Sequence, residues 1–239
     1  MNKMLISIFI CCNCAHLNAQ TFKVFNGDTI NRVDAKGLKQ GLWKKYFSTD
    51  TLFSEGFYKN GFHVGTFKTY YRNGKLQSVL IFRGSSEISF AELYYEDSKI
   101  MSKGKYINHT KDSLWAYYDG KGNKNAEEFY SNGIKDGIWK VYYPNGKASQ
   151  VLIYKNDKKN GAYKEFFDSG IPKIEATMIN DEFDGIVTVY HPNGNVWQKG
   201  AYKNGLKEGT WIINKEDATL EKEEIYEAGF LKNPPEDDK

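Results

Sequence analysis

The chain has 239 residues, a formal net charge of +3, 26% charged residues and three cysteines. Acidic and basic residues are interleaved along its whole length, whereas a nucleic-acid-binding surface shows a basic stripe without matching acids. The composition therefore predicts that nucleic acid is not the partner.

Residues 1–19 have the pattern of a signal peptide. Lys3 supplies a positive start, residues 4–12 form an apolar stretch, and residues 17–19 fit a cleavage site that ends in Ala19. The apolar stretch is shorter than the roughly 20 residues that span a bilayer, so we expect no transmembrane segment in the mature chain. The sequence predicts a secreted or periplasmic protein.

All three cysteines lie in this segment, at Cys11, Cys12 and Cys14. A lipid-anchored envelope form is a second hypothesis, but none of the three follows the Leu and small residues of a lipobox. Once the segment is removed, the mature chain has no cysteine. Disulfides and cysteine-based zinc sites are therefore excluded from it.

A glycine-centred pattern recurs every 24 residues from residue 41 onward. The framework positions are Gly41, Gly65, Ser89, Ser113, Gly137, Gly161, Gly185 and Gly209. Two residues after each stand Trp43, Phe67, Ala91, Trp115, Trp139, Tyr163, Val187 and Trp211. Five residues after each stand Tyr46, Tyr70, Tyr94, Tyr118, Tyr142, Phe166, Tyr190 and Asn214. A third set, seventeen after each, is Tyr58, Phe82, Tyr106, Tyr130, Tyr154, Met178, Tyr202 and Tyr226. This register, held over eight units without an insertion, indicates a repeat protein.

Each unit carries two turn signals that define its shape. One set contains Asn73-Gly74 and Asn145-Gly146, and the other contains Asn60-Gly61 and Asn132-Gly133. Asn-Gly fits both central positions of a type I′ turn, so both sets predict chain reversals. Short runs rich in aromatic and β-branched residues lie between the turns and have strand character. After residue 20, no window as long as a helix has apolar residues at the 3.6-residue spacing of a helix. One repeat is predicted to be one β-hairpin.

The predicted fold is all-β: an elongated meander of about eight 24-residue hairpins, or about sixteen strands, in a single twisted antiparallel sheet. At roughly 4.8 Å between strands the sheet is on the order of 75 Å long. The repeat domain covers residues 20–229, and residues 230–239 are predicted to form a disordered tail. Aromatic rings at fixed offsets should stack into ladders along the sheet and replace a conventional core. Because Trp211 lies in a degraded last unit, we expect its truncation to cost less stability than that of Trp139.

The pattern resembles the MORN repeat, and more closely its bacterial variant form. The best matches are residues 137–147, which begin Gly-Ile-Trp-Lys-Val-Tyr-Tyr, and the junction at residues 202–211. The resemblance covers about residues 34–229. It implies a hairpin meander used for protein or membrane contacts, and bacterial members are often labelled antitoxin-like. Ser89, Ser113 and Ala91 depart from the pattern, which predicts an interruption of regular stacking near residues 84–92.

No catalytic or metal-binding pattern is evident. The histidines after the signal segment, His63, His109 and His191, fall at different offsets in their repeats, so they imply no common metal face. Asp112, Asp136, Asp184 and Glu208 share one offset before the framework position. Paired carboxylates can hydrolyse glycosides, but acids at this offset are more simply turn residues along one edge. The sequence predicts neither an enzyme nor a cofactor.

Three function classes are open to such a chain. A repeat sheet offers extended surface without a closed pocket, which favours a secreted or envelope scaffold that contacts a protein partner. The alternative is an envelope glycan or cell-wall binding module that stacks exposed Trp and Tyr on sugars. Catalysis is the least favoured, because no convergent acid, base or nucleophile can be named. We further expect the irregular stretch at residues 84–91 to contribute to partner binding.

Overall fold

The computed structural model describes residues 20–25, 28–83 and 87–232, and it is all-β over these ranges. The chain forms one long open antiparallel sheet of 21 strands. In chain order the strands are β1 Thr21–Phe25, β2 Asp28–Val33, β3 Lys39–Tyr46, β4 Leu52–Lys59, β5 Phe62–Tyr70, β6 Leu76–Phe82, β7 Ile88–Tyr94, β8 Ile100–Ile107, β9 Thr110–Tyr118, β10 Lys124–Ser131, β11 Ile134–Lys135, β12 Gly137–Tyr142, β13 Ala148–Lys155, β14 Lys158–Phe166, β15 Pro172–Ile179, β16 Glu182–Phe183, β17 Gly185–Tyr190, β18 Val196–Lys203, β19 Leu206–Asn214, β20 Leu220–Glu227 and β21 Phe230–Lys232.

The strands pair strictly in sequence, so the predicted hairpin meander is confirmed. Each 24-residue unit is one hairpin, as in β12 with β13, where Gly137 pairs with Tyr154 and Trp139 with Leu152. The next unit adds directly, with Leu152 paired to Tyr163 across β13 and β14. Every hairpin therefore obtains its second neighbour from the following repeat, which is how marginal two-stranded units become stable.

The number of described strands exceeds the expected sixteen for two reasons. A short hairpin, β1 with β2, precedes the repeats, and β21 follows them. In addition, irregularities before Gly137 and Gly185 divide two of the repeat strands into short and long parts.

The C-terminal boundary differs from the prediction. Phe230–Lys232, assigned to the disordered tail, instead form β21 and pair with Ile225, Tyr226 and Glu227 of β20. β21 thus takes the position on the edge of β20 that the first strand of a further repeat would take. Residues 233–239 and the predicted signal peptide at residues 1–19 lie outside the described residues.

The two turn sets differ in type. Asn60 and Gly61 both have positive φ, 53° and 83°, as type I′ requires. The set that contains Asn145-Gly146 is not type I′: Gly146 N–H donates to the Tyr143 carbonyl at 2.9 Å, which places Pro144 at the second turn position. Proline holds φ near −65°, which suits a type I turn and prevents a type I′ turn. The reversals were predicted correctly, and the turn type of this set was wrong.

The predicted interruption near residues 84–92 affects the rings but not the pairing of the described strands. Ring contacts reach Phe82 from one side and begin again at Tyr106 on the other, with Ala91 between them. β6 and β7 pair from Ser78 with Leu93 to Phe82 with Ser89 without any register shift. Ser113 keeps the left-handed backbone of the framework glycines, with φ of 61°. Ser89 takes no such conformation, so the bulge that interrupts other unit junctions is missing here. Bulges increase local twist, and this junction is therefore the more regular one.

Candidate interaction surface

The two faces of the sheet carry different side chains. Successive residues of a strand point to opposite faces, whereas cross-strand partners share a face. The ladder face carries the aromatic residues two and seventeen positions after each framework residue. The open face carries the residues between them, beginning with Leu42 and Phe57, which pair across β3 and β4.

On the ladder face the rings form a nearly continuous series. Trp139 lies between Tyr130 and Tyr154, with ring centroids 5.5 and 4.8 Å away. Trp211 lies between Tyr202 and Tyr226 at 5.3 and 6.3 Å. These are mainly edge-to-face or tilted arrangements, which aromatic pairs prefer. The predicted ladder is present and forms the core of a sheet that has one layer.

Small residues make room for the largest rings, a feature the sequence interpretation missed. A Cβ built on Gly104 would lie 2.4 Å from the Trp115 indole, and one on Gly200 would lie 2.3 Å from Trp211. Trp115 is 0% exposed and Trp211 2% exposed. The signal that could have revealed this packing has two parts. A glycine stands fifteen residues after one framework position, and Trp or Phe stands two residues after the next framework position.

Lysines cover the ladder, and this too was missed. The residues two positions before the framework are Lys at five of the eight units, namely Lys39, Lys111, Lys135, Lys159 and Lys207. The Lys207 ammonium lies 4.1 Å from the centroid of Trp211 and 4.5 Å from that of Tyr226. Such cation–π contacts are typically worth about 0.5–2 kcal/mol. All five lysines pack on rings of the ladder face.

Burial changes the ionisation of groups in this layer. Desolvation lowers the pKa of the Lys111 ammonium, which lies over Trp115 and Tyr130. His63 occupies the lysine offset in its unit and stacks on Phe82 at 4.9 Å. Its pKa is lowered, first by desolvation and then by the charges of Lys39 and His109.

The tyrosines five residues after each framework position lie on the open face and not in the ladder. Their hydroxyls bind carboxylates: Tyr70 donates to Glu55 and Tyr142 to Glu127, both at 2.7 Å. Tyr190 donates to Glu175 at 2.8 Å. Desolvation, followed by these hydrogen bonds, raises the pKa of Tyr70 and Tyr142 to about 12. Tyr46 stands at the same offset in the first unit.

The open face also carries a row of large apolar side chains, which we call the apolar row. Its members are Leu42, Phe57, Ile81, Phe90, Leu114, Phe129, Ile138, Ile153, Ile186 and Ile225. Most of these side chains are exposed. Between Ile81, Phe90 and Leu114 the surface forms a groove of about 560 Å³. Lys105, which pairs with Phe90 across β7 and β8, also lines this groove. Many exposed apolar side chains gathered on one face mark a site of interaction in folded proteins.

A charged row runs beside the apolar row. Its members are Lys44, Glu55, Lys68, Glu92, Lys103, Glu127, Lys140, Lys164, Glu175, Lys199 and Glu223. Neighbouring members are often of opposite sign, as in the ion pair of Lys164 with Glu175 at 2.7 Å. The pKa of Glu127 is lowered by hydrogen bonds from Lys124 and Tyr142. The charged row therefore places ionised side chains directly beside the apolar row. Its order of positive and negative side chains gives the open face a defined electrostatic pattern.

The framework residues predicted as structural are distributed along the sheet as follows. Gly41, Gly65, Gly137, Gly161, Gly185 and Gly209 all have positive φ. Two of them also support the apolar row, because a Cβ on Gly137 would lie 3.0 Å from Phe129 and one on Gly161 would lie 3.2 Å from Ile153.

Of the predicted tryptophans, Trp43, Trp115, Trp139 and Trp211 belong to the ladder. Trp197, at another offset, is exposed.

The acids before the framework position bind turns. Asp112, Asp184 and Glu208 accept hydrogen bonds from the backbone N–H groups of Asn132, Asn204 and Ala228, each twenty residues later. In residues 20–25, 28–83 and 87–232, no cluster of His, Cys, Asp or Glu could hold a metal ion. Within the same ranges no helix is long and apolar enough to cross a bilayer.

Single-layer hairpin repeats with one aromatic face define a class of β-repeat protein, and comparison with known proteins identifies the family. The family model described as MORN repeat variant matches residues 39–60, 64–83, 135–156, 159–180 and 183–204. The chain is therefore a MORN repeat variant protein. Repeats of this family generally serve as interaction modules and are non-catalytic. No match was found among curated proteins.

Proposed function

We propose that this protein is a non-catalytic scaffold of the cell envelope or the secreted fraction that binds a protein partner through the apolar row. The observation that carries the proposal is the row itself, because large apolar side chains remain exposed on one face of a sheet whose other face is closed by rings and lysines. Its flanking charged row supplies the polar rim that protein interfaces commonly have. The predicted signal peptide supports the location.

The glycan-binding alternative has less support. It depended on exposed Trp and Tyr, but four of the five tryptophans lie in the ladder, where lysines cover several of the rings. The tyrosines of the open face bind carboxylates through their hydroxyl groups. A protein surface with apolar anchors fits the open face better than a sugar does.

A matched pair of variants tests the proposal. Phe57 belongs to the apolar row, whereas Phe62 lies beyond the next turn and outside the row, and both are exposed. Partners captured from envelope extract by the wild-type chain should be lost with Phe57→Glu and retained with Phe62→Glu. Sedimentation with peptidoglycan and polysaccharide forms the second arm. Equal capture by both variants, or sedimentation with glycan that Phe57→Glu leaves intact, would contradict the proposal.

A further inference from the structure

The apolar row has its longest run of large side chains near the middle of the sheet. Leu114, Phe129, Ile138 and Ile153 follow one another on β9, β10, β12 and β13, and we call them the central patch. The first three are 49%, 41% and 52% exposed. Elsewhere in the described residues the row is interrupted sooner, for example at Thr66 between Phe57 and Ile81.

The charged row beside this patch has a symmetric order. Along the four strands it reads Ala116, Glu127, Lys140 and Val151. A two-fold axis parallel to the strands, placed between β10 and β12, exchanges Glu127 with Lys140 and Ala116 with Val151. If two sheets met face to face about this axis, each Glu127 would therefore oppose the partner's Lys140. The apolar side chains would oppose one another in the same way, Phe129 against Ile138 and Leu114 against Ile153.

We propose that the central patch is a self-complementary interface through which two copies of this chain associate, open face to open face. The inference rests on the proposed function, because it assigns a partner to one part of the apolar row. A closed two-fold contact uses one surface on both copies, and the order of charges here satisfies that requirement.

Charges farther along the row limit the contact to this region. The same axis would bring Lys103 opposite the partner's Lys164, and Glu92 opposite the partner's Glu175. Each group has a partner within its own chain: Glu92 accepts from Tyr94, Lys103 lies over Tyr118, and Lys164 pairs with Glu175. Packed twisted sheets also diverge at their corners, so these side chains lie outside close contact.

The size of the patch predicts the strength of association. The four strands of the patch at about 4.8 Å spacing, each with about eight residues of roughly 3.3 Å, give a contact of about 500 Å² per copy. Stable interfaces bury about 800 Å² per partner, so this dimer should be weak and concentration-dependent. The rest of the apolar row remains accessible to another protein.

Sedimentation velocity of the purified chain between about 1 and 200 µM tests the proposal. We expect a reversible monomer–dimer equilibrium that Ile138→Glu shifts at least about tenfold toward monomer. Ile186→Glu is the matched control, because Ile186 stands at the same repeat offset, is 57% exposed and lies outside the patch. Thermal melting of each variant verifies that the sheet is intact.

A charge exchange adds a test that loss of folding cannot imitate. Glu127→Lys and Lys140→Glu should each weaken self-association, since like charges would then meet across the axis. An equimolar mixture of the two variants should recover dimers, because the two basic side chains of the first variant then oppose the two acidic side chains of the second. A monomer throughout the concentration range, or dimers that Ile138→Glu leaves unchanged, would overturn the proposal. In either event, loss of captured partner with Phe57→Glu would still support the proposed function, since Phe57 lies outside the central patch.

Discussion

Exchanging the large and small residues of one ladder contact tests how the sheet is stabilised. Gly104 lies beneath Trp115 on the neighbouring strand, whereas the preceding unit has the reverse arrangement, with Leu80 paired to Ala91. We predict that Trp115→Ala and Gly104→Leu are each strongly destabilising alone. The double variant should recover a substantial part of the loss, because it reproduces the arrangement that the chain already uses one unit earlier.

The magnitudes follow from the geometry. Trp115 is completely buried, so its truncation should cost about 3–5 kcal/mol in the free energy of unfolding. The Gly104 variant must displace the indole, since even its Cβ would lie 2.4 Å from a ring carbon. Overpacking of this kind typically costs about 1–3 kcal/mol. In the double variant the new Leu fills space that the indole vacates, and a coupling of about 1–3 kcal/mol in its favour is expected.

Urea unfolding followed by far-ultraviolet circular dichroism measures all four proteins. The midpoint reports stability, and an unchanged slope verifies that the transition keeps the same exposed surface. Trp197→Ala is the control, because Trp197 is exposed and outside the ladder; it should lower stability far less than Trp115→Ala. Strict additivity of the two single changes would refute the packing argument.

Three further predictions concern single sites. Replacing His63 by Phe should flatten the pH dependence of stability between about pH 5 and 7, as melting temperatures across this range would show. The lowered pKa of His63 means that the folded state favours the neutral imidazole. The contribution of His63 to stability is therefore complete above about pH 6.5 and is lost as the pH falls toward the folded pKa. Trp211→Ala should destabilise at least as much as Trp139→Ala, the reverse of the sequence-based expectation, because Trp211 is more deeply buried; a clearly smaller shift in urea midpoint for Trp211 would contradict this. Asp184→Ala removes the acceptor of the Asn204 N–H and should cost about 0.5–1.5 kcal/mol, with faster amide exchange at Asn204, whereas unchanged exchange would show that the bond is not formed in solution.

Repetition made the architecture predictable from sequence. The 24-residue register, the Asn-Gly pairs and the alternation of aromatic residues determine hairpins that each need a neighbour, and a chain of such hairpins can only form an extended sheet. The same register correctly placed Trp43, Trp139 and their equivalents in a ladder. It also assigned the acids that precede four of the framework residues to turns, as the contacts of Asp112 and Asp184 illustrate.

Tertiary structure was needed wherever two units meet. A single repeat does not reveal that Gly104 must be small, since the ring that covers it belongs to the next unit. Nor does it reveal that the Tyr142 hydroxyl binds Glu127, since that carboxylate belongs to the preceding unit. The apolar row and its charge order are likewise properties of sixteen strands placed side by side. Each side chain lies 24 residues from its counterpart, and cross-strand pairing alone brings those counterparts into one surface.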